Sequence, residues 1–220
     1  MKILSVETSG KVCSVALTED NNLIEEELIE DENTHSVKLM PLVDKLLKKT
    51  SINIKDIDLF ACDIGPGSFT GIRIGVSTIK AFLDVTNKKA IGVTSLEILA
   101  QNVKEDGIVC SLIDAKNKNV YCGMFEKKQE DLEQIEDLKF DNIDNIINSA
   151  KNINKKIFFV GDGSTTYKDM IECELENAKV LEDGKLNAKN IGIIAFRKKE
   201  QAVDTHNLKP LYLRASNAER

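Results

Sequence analysis

Tryptophan is absent from this chain, proline occurs three times, histidine twice, and aromatic residues make up only 5% of the total. The two histidines, His35 and His206, form no His-x-x-x-His pair, so a zinc or iron site of that type has no ligands in the sequence. Five cysteines (Cys13, Cys62, Cys110, Cys122 and Cys173) are odd in number and widely spaced, and fit neither a zinc pattern nor a disulfide framework. Reduced, buried thiols are the expectation. No apolar run approaches the roughly 20 residues needed to span a bilayer. The first residues are strand-like and lack a basic n-region followed by an apolar h-region, so a cytoplasmic protein is expected. Positive charge is also in deficit. Thirty Lys and Arg against 36 Asp and Glu leave a net charge of −6, which argues against broad binding of a phosphate backbone by this chain alone.

What is present is an ordinary globular composition, 42% hydrophobic and 30% charged, over 220 residues. That length suits one large domain or two smaller lobes with separate cores. The chain is organised around Gly65-Pro66-Gly67-Ser68-Phe69-Thr70-Gly71-Ile72-Arg73-Ile74-Gly75. The β-branched and aromatic run Ile57–Ile64 ahead of it predicts a buried strand. Ser68 is placed to cap a helix reaching about Asp84. Two readings of the loop stand side by side: an anion-binding turn with amides pointing outward, or a tight strand-to-helix turn. It is no Walker A, since no Lys-Ser/Thr follows at the required spacing, and Pro66 removes one amide donor.

On a helical wheel, Phe69, Ile72, Val76, Ile79 and Leu83 share one face, as a core-facing stripe should. Gly71, Ile74, Gly75, Thr78, Ala81, Phe82 and Val85 fall opposite, on a face that is small and apolar. Glycine in a helix interior costs about 1 kcal/mol relative to alanine, so two of them one turn apart suggest close approach of a second helix. An earlier helix, Ser36 to about Lys49, also carries a wide apolar arc, with Val37, Leu39, Met40, Leu42, Val43, Leu46 and Leu47 on it. Each helix is expected to have more than one neighbour.

Elsewhere the pattern predicts a meander, with strands Met1–Glu7, Val12–Leu17 and Leu23–Ile29 joined by tight turns. After a short strand Lys89–Val93 and a helix Ser95–Val103, the polar Lys104-Glu105-Asp106-Gly107 marks a lobe boundary, giving lobes of 1–104 and 105–220. The opening then repeats weakly: strand Ile108–Asp114, turn Lys116–Asn119, strand Val120–Phe125. Glu126–Lys139 is expected to be a solvated edge and loop. A helix Asp141–Lys151, a strand Lys156–Val160 ending in Gly161-Asp162-Gly163-Ser164, and helices Tyr167–Glu176 and Asn187–Lys199 follow. The helix near 188–200 is a candidate to pack back on the first lobe. The result is a duplicated α/β fold whose second lobe is short of elements.

Glu7-Thr8-Ser9, opening the first hairpin, occupies the place where an actin-like ATPase puts a carboxylate and phosphate-binding hydroxyls, and Asp114 sits correspondingly in the second. Ordinary turn chemistry explains the same residues. His35, just ahead of a helix, suits a cap or an interface residue. No serine or cysteine has a sequence-evident histidine partner for nucleophilic catalysis.

Taken together, Ile3-Leu4-Ser5-Val6-Glu7-Thr8-Ser9, His35-Ser36 ahead of Leu39-Met40-Pro41, the Gly65–Arg73 segment and Pro210-Leu211-Tyr212-Leu213-Arg214 resemble the TsaB (YeaZ) family nearly end to end. The resemblance implies an actin-like (sugar kinase/Hsp70/actin, RNase H-like) fold with a complete first lobe and a reduced second. It implies a non-catalytic subunit in threonylcarbamoylation of the adenosine next to the anticodon of tRNA. Such a subunit pairs directly with the paralogous TsaD, with the ATPase subunit TsaE at the level of the complex and tRNA reached through it. It also implies homodimers in isolation, no cofactor of its own, and ATP with magnesium only within the complex. The family's pairing surface maps onto the two wide-arced helices, with His35, Leu39, Met40, Val43, Leu46, Gly71, Ile74, Gly75, Thr78 and Phe82 as expected partner contacts. Glu7 stands where many relatives have Asp. The rival reading is an actin-like ATPase or kinase using Glu7, Thr8, Ser9 and Asp114 around a nucleotide. A metallopeptidase lacks ligands.

Overall fold

A computed structural model describes residues 1–30, 35–129, 131–182 and 184–214. The chain forms two compact units, Met1–Ile98 with Leu186–Leu211, and Leu99–Lys185 with the residues from Tyr212. It therefore passes between units near 98, 185 and 211, where the sequence suggested one break near 104.

The first unit opens with the expected meander, β1 (Lys2–Glu7), β2 (Val12–Glu19) and β3 (Asn22–Glu30), antiparallel throughout. Helix α1 (His35–Thr50) follows, then β4 (Leu59–Asp63), α2 (Phe69–Thr86), β5 (Lys89–Val93) and α3 (Ser95–Gln101). β4 and β5 join in parallel, giving the order β3-β2-β1-β4-β5. These central strands are apolar along their length because both faces are covered. On one face, Leu39, Leu42, Val43 and Leu46 of α1 meet Ile72, Val76, Ile79 and Leu83 of α2 over Leu4, Val6, Phe60 and Cys62. The Ser68 hydroxyl accepts from the Gly71 amide and starts α2, as the sequence predicts. Asn87, left-handed at φ 56°, ends it.

The second unit repeats the opening hairpin as β6 (Gly107–Asp114) and β7 (Asn119–Lys128). The segment expected as a solvated strand edge and loop continues β7 to Lys128 and adds two short strands, β8 (Asp131–Gln134) and β9 (Lys139–Asn142), both pairing with β7. Charge concealed them: Glu126, in β7, is paired with Lys128 and Lys155, so a polar run supports a ladder without apolar alternation. Helix α4 (Ile143–Ala150) and strand β10 (Ile157–Val160) follow. The helix expected over Tyr167–Glu176 forms as α6 (Lys168–Glu174), and a short extra helix, α5 (Asp162–Thr166), precedes it where only the glycine turn after the strand was expected. β11 (Ala178–Leu181) completes a sheet ordered β11-β10-β6-β7-β8, with β10 and β11 parallel to their neighbours.

The chain then returns to the first unit. Asn187 caps α7 (Ala188–Arg197) through the Asn190 amide, and Ile191, Ile194 and Ala195 pack on Ile3, Leu59, Ala61, Ile91 and Val93. Gly192 brings α7 close to the sheet, since a Cβ there would lie 2.6 Å from the Thr18 hydroxyl. α7 thus covers the sheet face opposite α1 and α2.

Candidate functional site

The C-terminal ends of the parallel strands β1, β4 and β5 converge on one buried polar cluster, the position where open α/β sheets place their sites. Glu7 ends β1 and Asp63 ends β4, at 0% and 2% exposure. The Ser9 hydroxyl lies 2.8 Å from Glu7 Oε1 and 2.7 Å from Asp63 Oδ2. The Ser95 hydroxyl reaches both Asp63 oxygens, at 2.8 and 2.7 Å. The amides of Ser9 and Gly10 donate to Glu7 Oε1 at 2.7 and 3.2 Å, and the Gly65 amide donates to Asp63 Oδ1 at 2.6 Å. Burial pushes the Glu7 carboxyl well up from its ordinary range, and the negative charge of Asp63 pushes it further. Burial also raises Asp63, against the hydrogen bonds that favour its charged form.

Thr8 faces the other way. Its hydroxyl donates to the Gly71 carbonyl at 2.7 Å, while the Ser68 amide donates to the Ser9 carbonyl at 2.9 Å. A Cβ on Gly71 would lie 1.9 Å from the Thr8 carbonyl oxygen, and one on Gly75 would lie 2.6 Å from the Thr8 hydroxyl. The glycine pair therefore admits this chain's own first strand, which corrects the expectation that it receives a helix from another molecule. The Gly65–Gly67 turn resolves likewise. Ser68 N is spent on Ser9 and Gly71 N on Ser68, so those two amides at the helix start face no free anion. On the far side of the turn, the Leu211 amide donates to the Ile64 carbonyl at 2.7 Å, placing Pro210-Leu211 against the end of β4.

The expected partner contacts divide sharply. Leu39, Val43 and Leu46 are core residues at 2% exposure or less, and Gly71 and Gly75 are buried. His35 is buried as well, its Nε2 donating to the Gly10 carbonyl at 2.9 Å. Ile74, Thr78 and Phe82 are half-buried, Ile74 and Phe82 against the same core, and Phe82 stacks on Phe60 with ring centroids 5.6 Å apart. Of the ten, only Met40 is open to solvent, at 50%. Val37, one turn before it, is exposed at 71%, Val85 in the last turn of α2 at 76%, and Phe69, expected in the core stripe, at 38% beneath the Arg73 guanidinium. The wheel separated apolar from polar positions; it had no means of telling a partner from the chain's own strand and neighbouring helix.

Asp114 lies in the second unit, at the mouth of the β6–β7 hairpin. Burial raises its carboxyl, but the Lys116 ammonium at 2.7 Å and the Lys116 amide outweigh that and hold it below the ordinary range. Asp63 and Ser95 went unnoticed in the sequence. The available signal was an acidic residue closing an apolar run just before a glycine turn, but pairing it with Glu7 requires the parallel register of β1 and β4. Among the described residues, no group of three or more His, Cys, Asp or Glu is arranged to hold a metal ion, and no helix is long and apolar enough to cross a membrane.

Two mixed sheets, each opened by an antiparallel hairpin and continued by parallel strands, define an actin-like α/β protein. A solved structure from Pseudomonas aeruginosa, described as an uncharacterized protein with similarity to the peptidase YeaZ, superposes with a TM-score of 0.81 at 22% identity over 97% of this chain and 99% of that one. A more distant neighbour, the activator of 2-hydroxyisocaproyl-CoA dehydratase from Clostridium difficile with bound ADPNP, matches at a TM-score of 0.51 and 8% identity over 91% and 96% of the two chains. The family model described as TsaD, tRNA N6-adenosine threonylcarbamoyltransferase, matches residues 24–220. The Bacillus subtilis tRNA threonylcarbamoyladenosine biosynthesis protein TsaB is 31% identical over 100% of this chain and 96% of its own length. The chain belongs to the TsaB branch of this family.

Proposed function

We propose that this chain serves tRNA threonylcarbamoyladenosine biosynthesis in the cytoplasm as a non-catalytic subunit. It pairs with a TsaD-type transferase, works alongside TsaE in the complex, and reaches tRNA and ATP only through that complex. In isolation the same surface pairs with a second copy. The observation that carries the non-catalytic reading is the closure of the Glu7–Gly10 turn. Its amides donate to Glu7's own carboxyl and its two hydroxyls are spent on Gly71 and on the carboxyl pair, so the donors a nucleotide phosphate would need are already used. Membership of the TsaB branch supplies the pathway. The exposed apolar side chains near the starts of α1 and α2, Val37, Met40 and Phe69, supply a surface for pairing.

Co-expression with the transferase subunit, followed by mass determination of the complex, tests the pairing. The double variant Val37→Asp/Met40→Asp is expected to fold normally and to lose co-purification, and wild-type recovery of the complex would overturn the surface assignment. A second reading, nucleotide binding by the chain itself, is favoured by the ADPNP-bound neighbour. Calorimetric titration with magnesium and ATP separates the two: silence supports the scaffold, and micromolar binding supports an ATPase or kinase.

A further inference from the structure

We infer that Glu7 and Asp63 form a single-proton dyad that latches the turn on which the N-termini of α1 and α2 are hung. The Ser9 hydroxyl has one hydrogen, yet its oxygen lies within 2.8 Å of an oxygen of each carboxyl. The second serine, Ser95, lies within 2.8 Å of both Asp63 oxygens and 3.4 Å from the Ser9 hydroxyl, and reaches no oxygen of Glu7. With both carboxyls charged, one of the two short Ser9 contacts has no hydrogen in it. Glu7 Oε2 would also be a buried carboxylate oxygen facing no donor. Among the described residues, no lysine or arginine bonds to either carboxyl, so the two charges would stand buried and uncompensated. One proton on Glu7 Oε1 supplies the hydrogen missing from the Ser9 contact and leaves a single charge, on Asp63, which the Ser9 and Ser95 hydroxyls and the Gly65 amide meet. It also leaves Glu7 Oε2 a neutral carbonyl oxygen instead of an unpaired buried carboxylate oxygen.

The neighbouring elements reinforce this placement. Cys13 on β2 is a thiol pushed up to about 11 by burial and then by Glu7, and Cys62 on β4 is raised further by burial and both carboxyls. Neither thiol supplies a charge at neutral pH. Lys38 from α1 and Lys80 from α2 act on those thiols only as weak opposing charges, and His35 from α1 bonds to the Gly10 carbonyl rather than to a carboxyl. The dyad's turn is also a mechanical junction. Gly10 O receives His35 at the first residue of α1, Ser9 O receives the Ser68 amide, and the Thr8 hydroxyl holds Gly71 O in the first turn of α2. Ionising the second carboxyl loosens this junction where both helices begin. The latch is a property of the first unit and stands whether or not these helices pair with a transferase.

The sign of the linkage follows. Glu7 is raised in the fold, so its stabilisation is complete below the unfolded carboxyl range near about 4.3 and is lost as pH rises toward the folded value. In that window the folded state holds one more proton than the unfolded chain. The full-length protein is unfolded by urea across about pH 6 to 9, alongside Glu7→Gln, which keeps a donor but does not titrate. Below the folded Glu7 value, the wild-type folding constant is expected to fall with rising pH by up to about tenfold per unit more than that of the variant. Parallel profiles overturn the dyad. Should Glu7→Gln fail to fold, the infrared spectrum of glutamate-labelled wild type decides alone: a protonated-carboxyl band at neutral pH supports the dyad, and its absence sinks it. Hydrogen exchange tests the latch. Protection at Ser9, Gly10, Ser68 and Gly71 should drop at alkaline pH beyond the intrinsic rate change, and unchanged protection there would confine the dyad to a local role without a latch.

Discussion

The two hairpin turns of this duplicated fold begin alike and end in opposite chemistry. Each strand pair is antiparallel and each turn opens at an acidic residue, Glu7 in the first unit and Asp114 in the second. The first turn is roofed by the start of α2, and its carboxyl is buried against another carboxyl, which favours the neutral acid. The second carries a nearby ammonium and stays on the charged side. Its tip is made by Lys116, Asn117 and Lys118, all left-handed at φ 67°, 54° and 59°, conformations that cost an L-residue without a special reason. The same sequence signature, strand then acid then turn, therefore yields a sealed core junction in one case and a solvent-facing loop in the other. What covers the turn makes the difference.

The sharpest way to break this comparison is to unroof the first turn. Gly71→Val forces side-chain atoms into the Thr8 carbonyl and is expected to destabilise the first unit by more than about 4 kcal/mol or prevent folding, read by urea unfolding. A soluble variant of wild-type stability would show that the roof is not needed. Leu46→Ala comes next, at about 2–5 kcal/mol, because Leu46 is a fully buried core residue. A small stability change with lost partner binding would return it to the interface expected from the sequence. Ser95→Ala removes a donor from a buried carboxylate and should cost about 1–3 kcal/mol, whereas Lys116→Ala removes an exposed ammonium from Asp114, which keeps its backbone bond from Lys116, and should stay within about 1 kcal/mol. A larger loss at Lys116 than at Ser95 would reverse the contrast between the turns. Asn117→Gly relieves a left-handed residue and should leave stability unchanged or raise it by up to about 1 kcal/mol.

Much of the architecture was visible in periodicity and punctuation. The opening meander, Ser68 as the cap of α2 and Asn187 at the start of α7 follow from local rules that the structure obeys. β8 and β9 lie within and at the end of the segment expected as a strand edge and loop, and α5 forms where a turn was expected after β10. At the site, Glu7, Thr8 and Ser9 stood out as a group, but their purpose did not. Residues 54 and 86 positions away complete the Ser9 contacts, and the hydroxyls point inward rather than to a ligand. Most of the residues expected at the partner surface proved to be core, because amphipathicity reports that a face is covered without reporting by what.

By itself, then, the sequence determined the alternation of strands and helices, the caps, and a resemblance carried by a glycine-rich strand-to-helix turn. These depend on side chains a few residues apart and on backbone conformations that only certain residues tolerate. The tertiary structure alone decided that Gly71 and Gly75 receive Thr8, that Leu39, Val43 and Leu46 lie inside, and that Glu7 meets Asp63. Those outcomes depend on the register of parallel strands and on which neighbour arrives first at an apolar face, and no local pattern in the chain encodes either.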